Sequence, residues 1–294
     1  MTYILNTLKS YVDKIETKKN ILHIFNSKFY LDKKNIDNLP IGLFGDFYSH
    51  ELSFILINKN DYKNLSNIFE KCNLKIKKVL AKSFIDGAYL SRNDKNSGTF
   101  FIIKINSINS KIIYFENNAL KFEQNFKFGT EIIIQDISKI ISLEKSTVQK
   151  ILNNIELNEK TVESEFIESE LFAEENYRKI KKKLIYEIAL ARINEISELM
   201  LFRNINLKNF IKNPNTIFLE VDSKSNIKNF KVIFKKVFSI NSRNDVNIVE
   251  KISAENLLET AHKVVHFGWK KEAIPLTETK KTLVARVFGA IFGQ

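Results

Sequence analysis

Apolar positions along this chain recur with two spacings, every second residue and every third or fourth, and the switches between them outline its elements. Ile21-Leu22-His23-Ile24-Phe25 and Phe29-Tyr30-Leu31 predict short strands, and Leu52 to Ile57 predicts another. Asp61 to Lys71 predicts a helix with Leu65, Ile68 and Phe69 on one face and Asn60 as its cap. Ile76 to Leu80 reads as a strand, and Ser83 as the cap of a helix running through Leu90. After Asn96-Ser97-Gly98 the spacing becomes that of a β-meander: Thr99 to Ile105, Ser110 to Phe115 and Ala119 to Phe128, broken at Asn106 to Asn109 and at Asn117-Asn118. Gly129-Thr130 opens a helix through Ile141, and Ser146 opens another carrying Val148, Ile151 and Leu152.

Glu156 to Glu175 is acidic and is expected as solvated surface or loosely paired strands. A long helix is predicted from Glu175 to Phe202, with Ile180, Leu184, Ile188, Ala191, Ile196 and Leu199 along it. Thr216 to Val221 predicts a strand, Lys224 to Phe238 includes a helix, Asn247 to Val249 is a short strand and Asn256 to Trp269 a helix. Pro275 to Thr279 is polar and reads as a linker. Beyond it, Leu283, Val284, Val287, Phe288, Ile291 and Phe292 share one helical face, bordered by Lys280, Lys281 and Arg286. Alternating strands and helices around a meander give an α/β class.

Composition narrows the function classes. Hydrophobic residues make up 44% and charged residues 27% of the 294, so the chain is globular rather than disordered. The net charge of +12 permits nucleic acid, an anionic membrane or an acidic peptide as partner. The lysines are scattered, with one cluster at Lys181-Lys182-Lys183 and no basic tail, which argues against nucleic acid. The single cysteine, Cys72, is expected in an apolar helical setting and fits a reducing compartment. Met1-Thr2-Tyr3 does not open a signal peptide, and no apolar stretch is long enough to span a bilayer.

No enzyme signature is present: neither a glycine-rich phosphate loop, nor HExxH, CxxC or GxSxG. His262 and His266 have the i, i+4 spacing of metal ligands, but Lys263 stands where a zinc protease has its glutamate, so ordinary helix histidines are expected. The terminal amphipathic segment is the one strong functional signal. Its apolar face, two phenylalanines and basic border are those of an interfacial membrane helix.

The order of pieces carries a resemblance. The strand and turn from Ser53 to Asp61, Glu70-Lys71-Cys72-Asn73-Leu74-Lys75-Ile76, Ser91 at a helix end, the meander and Gly129-Thr130 come first. Leu184-x-x-Glu187-Ile188-x-x-Ala191-Arg192-x-x-Glu195-Ile196, Ala261 with Val264-Val265-His266-Phe267-Gly268, and the basic tip follow. This series resembles the bacterial cell-division protein family FtsA. The resemblance implies an actin-like, ribonuclease H-like α/β fold whose N-terminal subdomain is incomplete, ending in an amphipathic helix. Residues 1–50 would be part of the subdomain peculiar to the family, and 51–93 the remainder of the first actin-like subdomain. Residues 94–141 and 206–274 would form the second core subdomain, 142–205 the subdomain that binds FtsZ, 275–281 the linker, and 282–294 the membrane helix.

The same resemblance implies ATP as cofactor, yet the matching positions depart from the family pattern. The phosphate loop expected as Asp-x-Gly-x-Gly-Thr-x-Asp reads Lys104, Ile105, Asn106, Ser107, Ile108, Asn109, Ser110, Lys111. Without glycines the backbone cannot approach phosphates, and without carboxylates no Mg²⁺ is organised, although Lys104 and Lys111 remain able to attract phosphate. The adenosine turn expected after Leu219 reads Glu220-Val221-Asp222. The expectation is therefore a chain without ATPase activity or bound cofactor; an ATP-binding FtsA read from an incomplete gene, and a basic nucleic-acid-binding protein, are the alternatives. Implied partners are the acidic C-terminal peptide of FtsZ, anionic lipids, further copies and other division proteins, at the cytoplasmic face of the inner membrane. Arg178 and Arg192, both expected on the long helix, with Lys182 and Glu195, would hold that peptide. Lys280, Lys281, Leu283, Val284, Arg286, Val287, Phe288, Ile291 and Phe292 would enter the membrane.

Overall fold

A computed structural model describes residues 14, 19–36, 42–93, 98–157, 165–172, 175–208, 210, 216–221, 228–240, 244–269 and 271–273. The chain divides into two compact units, Met1–Ile85 with Glu259–Gln294, and Asp86–Leu258. The linker and amphipathic tip expected over 275–294 lie outside the described residues.

In the first unit the two short strands expected at Ile21 and Phe29 are one strand, β1 (Lys19–Leu31). Its pairing with β3 (Tyr48–Asn58) slips at His23 and at Lys28, and these bulges carry the strand through the polar interruption at Asn26-Ser27-Lys28. β2 (Lys34–Ile36) pairs β1 at Phe29 to Leu31, and β9 (Glu272–Ala273) pairs it at Ile24 and Phe25. Asp32 and Lys33, at φ 49° and 66°, form the two-residue turn between β1 and β2. Helix α1 (Lys59–Lys71) follows β3 directly. Its N-cap is Asn58, whose side-chain amide donates to Asp61 at 3.1 Å, so Asn60 lies inside the helix rather than at its cap. Cys72 at the other end is exposed, not in the apolar setting expected.

Ile76 to Leu80 is not a strand. Ile76, Val79 and Leu80 are only partly covered, and the segment is held by side chains instead of a ladder. The Lys78 ammonium donates to Glu272 at 3.1 Å, and the Ala81 N–H donates to Nε2 of buried His23 at 3.0 Å. His23 completes the junction through Nδ1, 2.7 Å from Glu272, and its ring packs edge-on to Phe84. Helix α2 (Lys82–Asn93) begins one residue before Ser83, which is buried inside it; the Ala81 carbonyl accepts from the N–H groups of Phe84 and Ile85.

The second unit is built on a five-stranded sheet in the order β6-β5-β4-β7-β8. β4 (Phe100–Ile105), β5 (Ser110–Glu116) and β6 (Ala119–Phe126) are the meander, antiparallel throughout. β7 (Thr216–Val221) and β8 (Asp245–Ile248) continue it in parallel on the other side of β4. This is the α/β class expected. Central β4 is buried on both faces and so reads as a continuous apolar run broken only at Lys104. Phe101, Ile103 and Ile105 meet the helices α3 (Glu131–Ile141), α4 (Lys145–Asn154), α5 (Lys182–Ser197) and α6 (Lys228–Ile240) in one core. On the opposite face Phe100 stacks on Phe115, and Gly87 of α2 touches that same ring so closely that any Cβ there would stand 2.0 Å from it. α7 (Ala254–Phe267) spans the division between the units.

The long helix is shorter than expected. Residues 175–181 are not helical, because Ile167 N–H donates to the Ile180 carbonyl and Lys182 N–H to the Glu165 carbonyl, pairing Phe166 with Lys181 in an isolated bridge. The acidic stretch thus meets Lys181 in a single bridge, and its turn Ser169–Phe172 buries Leu171 and Phe172. At its far end α5 widens into a π turn, Glu198–Phe202.

Candidate functional site

The positions that match a phosphate loop form the β4–β5 turn. Asn106 N–H donates to the Asn109 carbonyl at 2.9 Å, and their side chains bond at 2.6 Å. The turn then closes on the start of α3. Thr130 N–H donates to the Asn106 carbonyl at 2.9 Å and Glu131 N–H to the Ser107 carbonyl at 2.8 Å. A helix N-terminus is an anion site because its first N–H groups lack partners. Here carbonyl oxygens already occupy them. The contact is close enough that a Cβ on Gly129 would lie 2.0 Å from the Asn106 oxygen, which is why glycine stands there.

Lys104 does not extend toward an anion. Its ammonium lies 2.8 Å from Asp86 of α2 and 2.9 Å from Glu220, its parallel partner on β7. The side chains are 13%, 4% and 11% exposed. Burial alone would push the Lys104 pKa down, but the two carboxylates outweigh it and hold it above the ordinary lysine value. The expectation that Lys104 attracts phosphate is therefore corrected: one cation between two carboxylates leaves a net negative cluster. Lys111 is likewise engaged, 2.5 Å from Glu123. Asp86 keeps a second oxygen, Oδ1, buried without a partner. The Lys104 ammonium thus lies between two carboxylates, and turn carbonyls accept from the N–H groups that open α3.

The residues expected to hold a peptide sit on and around α3 and α5. Arg192, on α5, donates through Nε to Asp136 of α3 and through Nη1 to Glu195 one turn on. Hydrogen bonding to Asp136 holds its guanidinium above the usual arginine range. Arg178 is not on α5 but in the segment before it, where its guanidinium donates to the Ser142 carbonyl at 2.5 Å, just beyond the end of α3. That correction brings the pair closer together than the expected helix would: Asp136 and Ser142 are under two turns apart, on the order of 9 Å along the axis. Lys182 is 3.6 Å from Glu165. Asp136, Ile140, Glu187, Ile188, Ala191, Arg192 and Glu195 line a groove of about 450 Å³ between the helices. Asp136 and Ile140 were missed in the sequence; their i, i+4 spacing on α3 was the available signal. The residues expected to enter the membrane, Lys280 to Phe292, lie outside the described residues. Among the described residues no helix is long and apolar enough to cross a membrane, and no cluster has the make-up of a metal site, His262 and His266 included.

No family model matches the chain. It is similar to the cell division protein FtsA of Buchnera aphidicola subsp. Schizaphis graminum, 23% identical over 202 residues, 67% of this chain and 47% of that protein. It is also similar to FtsA of the subspecies Baizongia pistaciae, 23% identical over 286 residues, 91% of this chain and 67% of that protein. The chain thus spans about half the length of the first of these relatives. Among solved structures it is similar to MreB 5 of Spiroplasma citri bound to AMPPNP, with a TM-score of 0.46, 14% identity and coverage of 71% of this chain and 65% of that one. This α/β chain is thus similar in sequence to FtsA, at 23% identity, over most of its length.

Proposed function

We propose that the chain is a cell-division adaptor that tethers FtsZ filaments to the cytoplasmic face of the inner membrane at the septum, without ATPase activity. One observation carries the loss of nucleotide chemistry: Lys104 held between Asp86 and Glu220. A triphosphate at this place would face a net negative buried cluster and a helix end whose N–H groups are already bonded to Asn106 and Ser107. What remains is binding. The face bearing Arg178, Lys182, Arg192 and Glu195 receives the FtsZ C-terminal peptide, and the segment Leu283 to Phe292 enters lipid. Six apolar side chains, partly buried, give on the order of 10 kcal/mol before the cost of ordering the tail. Lys280, Lys281 and Arg286 add about 1 kcal/mol each on anionic lipid. One anchor is then marginal, and several copies aligned on a filament hold through effective concentration.

Two measurements on the purified chain test this. Titration calorimetry with Mg²⁺-ATP is expected to show no binding; micromolar affinity sinks the non-enzymatic reading. Sedimentation with anionic liposomes is expected to pellet the full chain and not a version lacking 280–294; equal pelleting removes the anchor.

A further inference from the structure

One end of the sheet in the first unit carries large apolar side chains that stand in solvent. Between β2 and β3 runs Gly42-Leu43-Phe44-Gly45-Asp46-Phe47, in which Leu43 is 60%, Phe44 99% and Phe47 59% exposed. Exposed apolar residues are ordinary when scattered, but three in one short loop form a patch. The loop is fastened to the turn between β1 and β2. Asp32 N–H donates to the Phe47 carbonyl at 2.7 Å, and Phe47 N–H donates to Asp32 Oδ1 at 2.8 Å. Gly45 lies so close that a Cβ there would stand 2.6 Å from the Leu31 side chain. The charge within the loop is that of Asp46, which is exposed.

A carboxylate beside an apolar patch disfavours anionic lipid as its occupant and favours an apolar face bordered by cations. The segment from Leu283 to Phe292, which lies outside the described residues, has that make-up, with Lys280, Lys281 and Arg286 at its border. Its tether leaves the body nearby. β9 pairs β1 at Ile24 and Phe25, and Ile24 to Leu31 is about 23 Å along the strand. Residues 274–282, when extended, span up to roughly 30 Å. We propose that Leu43, Phe44 and Phe47 are the resting dock of this chain's own segment Leu283 to Phe292. One apolar face cannot cover the patch and enter lipid at once. Docking therefore lowers apparent lipid affinity in proportion to the fraction of chains whose tip is free. The proposal rests on reading residues 280–294 as a lipid anchor and adds its regulation.

Titration of the full chain with anionic liposomes tests it, with hydrogen exchange in solution as a second readout. Leu43→Ser combined with Phe44→Ser is expected to raise lipid affinity about three- to tenfold, the gain when a free fraction of roughly 10–30% rises to nearly one. Both side chains stand in solvent, so the variant keeps the fold. Without lipid, the amides of Leu43 to Asp46 should exchange more slowly in the native chain than in Val287→Asp with Phe288→Asp. Asp46→Lys should remove the same protection. Equal exchange, or a measurable lipid affinity that the patch variant leaves equal or lowers, overturns the proposal. Protection found only where sedimentation velocity shows an oligomer assigns the patch to a second copy and also overturns it. If the native chain and the patch variant both fail to pellet while the protection is present, the anchor reading falls and the dock stands. If pelleting needs residues 280–294 but ignores the patch, the anchor stands and the dock falls.

Discussion

Two clusters in the second unit have the same formula, one cation between two carboxylates, and differ in burial. Lys104 with Asp86 and Glu220 is nearly closed to solvent, while Arg192 with Asp136 and Glu195 sits at a groove where Glu195 is 54% exposed. In low dielectric, removing one partner strands a charge, so a buried group of this kind locks its surroundings even where its net contribution is small. At the rim, water replaces a lost partner at little cost, so the same arrangement can open and exchange. Position in the fold sets that difference. Lys104 breaks the apolar run of the central strand, whereas Arg192 lies on the outer edge of a helix whose other side is core.

The sharpest way to break the comparison is Lys104→Met. It leaves Asp86 and Glu220 facing each other in the interior and should cost about 3–5 kcal/mol, read as a drop in the urea midpoint. Adding Asp86→Leu and Glu220→Leu should recover much of that loss, since apolar replacement of a whole buried ionic group is often neutral. Recovery failing entirely would mean that the cluster does more than neutralise itself. The pH dependence follows from the same geometry. Because folding raises the Lys104 pKa, its contribution is fully present below the unfolded value of 10.5 and is lost as pH rises through the folded one. The Lys104 contribution to the stability gap between the native chain and Lys104→Met should therefore fade in strongly alkaline urea titrations.

Gly129→Ala ranks next. The added Cβ meets the Asn106 carbonyl, a backbone atom with no rotamer to change, so the β4–β5 turn must part from α3. The expected cost is about 1–3 kcal/mol by thermal denaturation. Parting that junction also frees the N–H groups of Thr130 and Glu131, so fluorescence titration with inorganic pyrophosphate should detect weak binding to the variant alone. Binding that is equal in the native chain would show that the helix end was never closed.

Much of this architecture was legible in the sequence where one period dominated. The meander, its two asparagine breaks and the helix after Gly129 were readable because β4 to β6 pair with their immediate neighbours. Lys104 interrupts the apolar run Phe100-Phe101-Ile102-Ile103-Lys104-Ile105, but its role is not legible there, since Asp86 and Glu220 reach it only through tertiary packing. Arg178 was misplaced for a related reason. Residues 175–181 have helical spacing, but the bridge to Phe166 takes their backbone for pairing, and tertiary pairing overrides propensity. At Ile76 to Leu80 the apolar content suggested a strand, while Lys78 and Ala81 anchor the segment to Glu272 and His23 instead. In each case the missing information was a long-range polar contact, which leaves no periodic trace.

The smallest expected effect belongs to the rim. Arg192→Ala should change stability by less than about 1 kcal/mol, because Glu195 and the outer part of Asp136 rehydrate when the guanidinium is gone. Half-molar salt should shrink even that difference, since exposed pairs are screened over a Debye length of roughly 4–5 Å. The native-versus-Lys104→Met gap should survive the same salt, because its charges are buried. Denaturation of the two variants at low and high ionic strength thus separates a lock from a brace by one ratio. If the Arg192→Ala cost proved as large as that of Lys104→Met and equally indifferent to salt, burial would not be what distinguishes them. The groove would then be a fixed part of the core rather than a surface free to receive a partner.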